Sequence, residues 1–100
     1  MTTRSKPATH AGLSARELRA ITRALSDPRR FEILKHIAAS PCMACTGLRA
    51  EFPISAATLS HHLKELESCG LVELTRHGKF VDVVFQRTVW NAYLDDLKRL

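Results

Sequence analysis

Apolar residues recur at intervals of three and four between residues 14 and 40, which predicts two amphipathic helices. Ser14 is a suitable N-cap for the first helix. The apolar stripe of that helix comprises Leu18, Ile21 and Leu25. Ser26-Asp27-Pro28 ends the first helix and starts the second, because Asp27 can cap it and Pro28 tolerates the first helical position. The buried stripe of the second helix is predicted to comprise Phe31, Ile33, Leu34 and Ile37.

Two further helices are predicted between residues 46 and 70. A short third helix should run from about Thr46 to Phe52, with Leu48 and Phe52 directed inward. Ser55 is suited to cap a longer fourth helix. The core stripe of the fourth helix comprises Leu59, Leu63 and Leu66. Gly70 fits the left-handed position that commonly follows the end of a helix.

Beyond Gly70 the pattern becomes rich in β-forming residues. The runs 71–76 and 79–86, separated by His77-Gly78, predict a hairpin. Thr88 is predicted to cap a last helix. Its apolar stripe comprises Trp90, Tyr93, Leu94, Leu97 and Leu100. A short helix, a turn, a longer helix and a hairpin describe a mainly α fold with a β-hairpin wing, a winged helix-turn-helix, over residues 13–100.

The amino-acid composition indicates what kind of partner this fold binds. The chain has 15 Lys and Arg against 10 Asp and Glu, and residues 1–50 hold nine basic and three acidic side chains. A basic balance favours anionic partners, above all nucleic acid. Residues 1–12 lack an apolar stretch for export and are predicted to form a flexible basic arm. With no apolar run long enough to span a bilayer, we expect a cytoplasmic protein without a membrane partner.

The outward face of the fourth helix is the candidate DNA-binding surface. Small residues let a helix enter a major groove, and Ser, Thr and His can bond to base edges or phosphates. The candidates on this helix are Ser55, Ala56, Ala57, Thr58, Ser60, His61 and Lys64. The wing adds Arg76, His77 and Lys79. An ordinary solvated face is the alternative. His62 leans towards the core and is expected to be packed and hydrogen-bonded.

The segments ALSDPRRFEIL and ATLSHHLKELESCGLVELTRHGKF resemble the ArsR/SmtB family of bacterial winged-helix repressors, over residues from about 15 to 87. The resemblance implies a homodimer built on the first and last helices. It also implies operator binding by the fourth helix and the wing, with release when an effector binds. The candidate dimer residues are Leu18, Ile21, Leu25, Trp90, Tyr93, Leu94 and Leu97. Packing of both stripes within one chain is the alternative.

The cysteine pair in SPCMACTGL is the candidate effector site. Three cysteines in all argue against a disulfide scaffold. Family members that sense arsenite or soft metals carry Cys-x-Cys at the positions of Ala44 and Thr46, so Cys42 and Cys45 are out of step with them. Both thiols could be inert packing, or bind arsenite or zinc with Cys69 or a partner's histidine, or oxidise to a disulfide. The family's other metal site, on the last helix, lacks histidines here.

These patterns and the family resemblance together predict a homodimeric DNA-binding repressor, with a thiophilic ion or an oxidant at Cys42 and Cys45 as the candidate signal. A winged-helix protein-interaction module and an effector-independent DNA-binding regulator with structural cysteines are the alternatives. An enzyme has little support and no catalytic residue is expected. A single CxxC lacks the strand-to-helix setting of a redox unit, and there is no Gly-rich phosphate loop.

Overall fold

In the computed structural model, which describes residues 12–100, the five helices and the hairpin follow one another in the predicted order, and a two-residue strand that was not predicted precedes the third helix. The helices are α1 (Ala15–Leu25), α2 (Pro28–Ala38), α3 (Cys45–Glu51), α4 (Ala56–Ser68) and α5 (Arg87–Lys98). The strands are β1 (Met43–Ala44), β2 (Val72–His77) and β3 (Phe80–Phe85). The predicted winged helix-turn-helix is confirmed. The predicted N-terminal arm, apart from Gly12, lies outside the described residues.

Local capping explains why α1 and α2 begin where they do. The Ser14 hydroxyl accepts a hydrogen bond from the Glu17 N–H at 3.1 Å, and the Glu17 carboxylate accepts one from the Ser14 N–H at 2.8 Å. This is a complete capping box. Asp27 accepts from the N–H groups of Arg29 and Arg30 at 2.9 and 3.1 Å. Both predicted caps are therefore confirmed.

The start of α5 differs from the prediction. The helix begins at Arg87, with Gln86 in the N-cap position and no side-chain cap, so the assignment of Thr88 as the cap is wrong. The Gln86 N–H donates to the Leu71 carbonyl at 2.9 Å, which holds the chain against the sheet up to this residue. The chain therefore turns into the helix directly after β3.

The three strands form an antiparallel sheet in the order β1-β3-β2. β2 pairs with β3 from Val72 opposite Phe85 to His77 opposite Phe80. The turn of the hairpin is thus Gly78-Lys79, one residue later than predicted. Gly78 has a φ of +64°, which glycine adopts without strain, so His77 remains in the strand.

The core lies between the helices and the inner face of this sheet. Its fully buried large side chains are Ile21, Ile33, Ile37, Leu48, Leu59, Leu66, Leu71 and Val83. The prediction that Phe31 belongs to this core is wrong, since Phe31 is 37% exposed. The inward stripe of α2 starts instead at Arg30, which is buried, and Phe31 lies about 100° around the helix from it.

Candidate nucleic-acid interface

The amino end of α4 is held rigidly by its cap. The Ser55 hydroxyl accepts a hydrogen bond from the Thr58 N–H and donates to the Thr58 hydroxyl, both at 3.0 Å. One turn into the helix, Leu59 is 2% exposed, and the later core residues Leu63 and Leu66 are also buried. Because one side of α4 is anchored in the core, the orientation of its other side is fixed.

Every predicted α4 candidate is exposed in the structure. The exposed residues are Ser55, Ala56, Ala57, Thr58, Ser60, His61 and Lys64. The three predicted wing residues, Arg76, His77 and Lys79, are exposed as well. The result is a surface of small, hydrogen-bonding and cationic side chains on two neighbouring elements.

At the tip of the wing, one carboxylate modifies this surface. His77 Nε2 lies 2.7 Å from Asp82 Oδ2. Asp82 was not singled out from the sequence, because the predicted turn was one residue early and gave the wrong pairing between the strands. In the observed register Asp82 lies opposite Thr75, which places it on the same face of the sheet as His77.

The prediction that His62 is packed and hydrogen-bonded is confirmed. It is 6% exposed, and its Nδ1 accepts a hydrogen bond from Arg30 Nε at 3.4 Å. Arg30 also donates from Nη1 to the Ala24 carbonyl at 3.2 Å, and its Nη2 lies 3.6 Å from the Asp27 carboxylate. These contacts join the ends of α1 and α2 to α4.

Burial and charge shift two pKa values in this network. Burial lowers the pKa of His62, and the neighbouring Arg30 and His61 act in the same direction, whereas Asp27 opposes them. The pKa of Asp27 is also lowered, chiefly by the hydrogen bond from the Arg30 backbone N–H. The lowered pKa favours the neutral form of His62, which can accept the hydrogen bond from Arg30.

The three cysteines are free thiols in different settings. Cys42 is exposed, and Cys45 is half-buried against the core. Loss of solvation raises the pKa of both, and the Asp82 carboxylate raises them further, whereas Arg76 lowers the pKa of Cys45. Cys69 donates from Sγ to the Leu66 carbonyl at 3.3 Å, in keeping with the structural role expected for it.

The described residues of one chain do not provide a complete set of ligands for a metal ion. Among residues 12–100, no group of three or more His, Cys, Asp or Glu side chains is arranged to hold one. Cys42 and Cys45 could provide at most part of a soft-metal site, and other ligands would have to come from elsewhere. The helices of the described region include none that is both long and apolar enough to cross a bilayer.

The predicted dimer residues divide into two groups. Leu97 is 42% exposed, and Leu18, Leu25, Trp90 and Leu94 are half-buried. Tyr93 is largely buried and its hydroxyl bonds to Thr22 Oγ1 at 3.0 Å. Ile21 is fully buried within its own chain and offers no surface to a partner, so the predicted interface is revised to exclude it.

The short helix α3, the capped helix α4 and the hairpin of β2 and β3 follow one another and define a winged helix-turn-helix domain. A family model described as a helix-turn-helix domain matches residues 25–75. An ArsR-like transcriptional regulator from Rhodococcus sp. RHA1 has a similar structure, with a TM-score of 0.75 and 30% identity, covering 84% of this chain and 78% of that one. The chain belongs to the ArsR/SmtB family of winged helix-turn-helix transcriptional regulators.

Two other proteins are similar over most of this chain. The arsenical resistance operon repressor of Staphylococcus xylosus is 41% identical over 66 residues, which cover 66% of this chain and 62% of that protein. The match thus spans less than two thirds of the repressor's length. A homodimeric winged helix-turn-helix DNA-binding domain from Mycobacterium bovis, solved by NMR, has a TM-score of 0.68 and 25% identity, covering 88% of this chain and 87% of that one.

Proposed function

We propose that this protein is a homodimeric transcriptional repressor in which α4 enters the major groove of operator DNA and the wing contacts the adjacent backbone. The observation that carries the proposal is the exposed face of α4, where small and hydrogen-bonding residues oppose an anchored leucine stripe. Ala56 and Ala57 permit close approach to the groove, and His61 and Lys64 provide longer polar side chains. No catalytic step is assigned to any residue, and the protein would act in the cytoplasm.

The charges on this surface suit a polyanion. Lys64, Arg76 and Lys79 supply three cations in each protomer, and all are exposed. The first N–H groups of α4 add a site for a phosphate oxygen. Dimerisation would double these contacts, and the domain from Mycobacterium bovis, a homodimeric DNA-binding domain, is a precedent for this arrangement.

The dimer would form through α1 and α5. Leu97 and Leu94 lie one turn apart on α5, and Leu97 is 42% exposed in the single chain. This leucine and its half-buried apolar neighbours expose apolar surface to water. An interface with a second chain would remove that surface from water, which is favourable. Leu18 and Leu25 of α1 offer a complementary half-buried stripe.

We further propose that Cys42 and Cys45 transmit an effector signal to the wing. β1 lies between them, and its residue Ala44 pairs with Asp82 of β3. A soft ion bound at the thiols, or their oxidation to a disulfide with loss of two protons and two electrons to a peroxide, would displace β1. The exposure of Cys42 leaves its thiol accessible to an ion or an oxidant, although its raised pKa lowers the fraction of reactive thiolate.

The proposal is tested by enriching duplexes from a random-sequence pool through repeated binding to the wild-type protein. We expect one sequence to be enriched and its affinity to fall steeply with salt. Lack of enrichment and a flat response to salt would favour a protein-interaction module instead.

The effector is then tested on the complex with the enriched duplex. Arsenite, zinc, cadmium and peroxide are titrated into complexes of the wild type and of Cys42→Ser/Cys45→Ser. We expect at least one of these agents to release the wild type and to leave the double variant bound. Equal release of both proteins would rule out the cysteines, and release of neither would favour an effector-independent regulator with structural cysteines.

A further inference from the structure

Three arginines form a continuous stripe along α1. Arg16, Arg19 and Arg23 are all exposed and follow one another at spacings of three and four. At about 100° per residue, they lie within roughly 60° of one another and opposite the buried Ile21. The side of α1 that carries them is therefore separate from the side that packs into the core.

The stripe lines a groove between α1 and α4. The α4 wall of this groove consists of Glu65, Ser68 and the C-cap residue Cys69. The Ser68 hydroxyl donates to the Lys64 carbonyl at 2.8 Å. His61, Lys64 and Ser68 are all exposed and lie along one face of the helix, at spacings of three and four. The groove therefore continues the proposed DNA-binding face at its carboxyl end.

The guanidinium groups of the stripe are not neutralised within the described chain. The ion pairs among residues 12–100 are Arg30–Asp27, Lys35–Glu32, His77–Asp82 and Arg99–Asp96, and none includes the stripe. Glu65 is the one acidic residue that lines the groove beside them. The groove thus has three guanidinium groups and one carboxylate. Its potential is therefore positive and attracts an external anion.

We propose that Arg16, Arg19 and Arg23 bind the phosphate backbone of duplex DNA beyond the segment that α4 contacts. This inference rests on the proposed function, because it needs α4 to be on DNA. The α4 and wing surface offers three cations in each protomer, and the stripe adds three more on a surface that continues it. Arginine is well suited to this role, since its planar fork matches the phosphate oxygens. Such contacts strengthen binding without reading sequence.

The test uses the full chain and compares the wild type with Arg16→Gln/Arg19→Gln/Arg23→Gln. Affinity is measured against salt on the enriched duplex and on a long random-sequence duplex. Each lost phosphate contact reduces the slope of log affinity against log salt by about 0.9, so six arginines in a dimer account for about 5. The preference for the enriched duplex over the random one should stay unchanged, because phosphate contacts carry no sequence information.

Three controls identify the cause of a change. Arg16→Lys/Arg19→Lys/Arg23→Lys retains the charges and should retain most of the slope. Glu65→Gln removes the carboxylate from the groove and should strengthen binding. Lys35→Gln/Lys98→Gln removes exposed cations from α2 and α5, outside the groove, and should leave the slope unchanged. Circular dichroism establishes that each variant is folded.

The outcomes separate this inference from the proposed function. If the wild type binds DNA and His61→Ala weakens binding, but the glutamine variant keeps the wild-type slope, the stripe is not a DNA contact and only this inference fails. That result would point to an acidic protein as its partner. If the wild type shows no salt-dependent binding to either duplex, the proposed function and this inference fail together.

Discussion

His77 Nε2 lies 2.7 Å from Asp82 Oδ2, and this contact connects the tip of the wing with the strand that pairs with the cysteine segment. Asp82 lies between Ala44 of β1 and Thr75 of β2 in the sheet. Its carboxylate also raises the pKa of Cys42. A single side chain of β3 therefore faces both the candidate effector site and the candidate DNA-binding surface.

The first prediction concerns the reactivity of Cys42. Loss of solvation is the main cause of its raised pKa, and Asp82 adds to it. In Asp82→Asn the pKa of Cys42 should fall, so its thiolate should react faster with an aromatic disulfide reagent at a fixed neutral pH. The gain is about threefold per pKa unit, because lower nucleophilicity offsets about half of the rise in thiolate. The rate is followed by mass spectrometry of the modified peptide.

Glu73→Gln is the matched control for this experiment. Glu73 is an exposed acid on β2, paired with Val84, so the substitution removes the same charge from the same sheet. The rate at Cys42 should match that of the wild type. If Asp82→Asn also reacts at the wild-type rate, the Asp82 carboxylate does not control this thiol.

The second prediction concerns stability and pH at His62. Burial lowers the pKa of His62 from its usual 6.5, so the unfolded chain binds a proton more readily than the folded one. Stability should therefore be greatest above pH 6.5 and decline as the pH falls towards the lowered pKa. His62→Asn keeps an acceptor for Arg30 but has no titratable ring. Its stability should therefore depend less on pH in this window than that of the wild type. Urea midpoints measured across the range provide the comparison.

His61→Asn is the control, because His61 is the exposed neighbour on the same helix. His61 makes only a minor contribution to the lowered pKa of His62, so the stability of this variant should decline with falling pH nearly as steeply as that of the wild type. If His62→Asn declines just as steeply, a different group is responsible for the acid sensitivity.

Much of the fold could be predicted because its signals are local. Ser14, Asp27 and Ser55 cap their helices with bonds to N–H groups two or three residues away, and each helix carries its own apolar period. Strand β1 has only two residues, too few for any period, and exists through its pairing with β3. The burial of Arg30 depends on His62, 32 positions later in the chain.

The same distinction holds for the candidate site. The outward face of α4 follows from the positions of its three leucines, which are buried as predicted, and the candidates on α4 are exposed. The contact between His77 and Asp82 depends on the exact register of the hairpin. The turn was predicted one residue too early, so this contact could not be predicted from the sequence. The groove beside the α1 arginines needed the packing of α1 against α4, which no sequence spacing specifies.

The third prediction concerns the surface proposed to contact DNA. His61→Ala and Lys64→Ala should each weaken binding to the enriched duplex by about 1–3 kcal/mol where they contact bases, and less where they touch only phosphate. Arg76→Ala should weaken binding uniformly across sequences and reduce the salt slope by about 1 for each phosphate contact. Fluorescence anisotropy on enriched and random duplexes measures both effects.

Lys35→Ala provides the control for these three variants. Lys35 is an exposed cation on α2, is not one of the proposed DNA-binding residues, and has its Nζ 3.5 Å from the Glu32 carboxylate. It should bind both duplexes as the wild type does. Wild-type affinity in all three site variants would mean that a different surface meets the DNA.

The last prediction concerns the proposed dimer, which would double the contacts with DNA. Leu97→Glu places a charge on the exposed apolar side of α5, where burial against a partner would leave it without hydration. The variant should sediment as a monomer at concentrations where the wild type is a dimer. Its salt slope should fall to about half, since one protomer neutralises half as many phosphates. Thr88→Glu places the same charge on an exposed position of α5, about 120° around the helix from Leu94 and about 180° from Leu97, and should remain dimeric. A wild-type chain that is monomeric at micromolar concentration would overturn the dimer and the doubling of contacts with it.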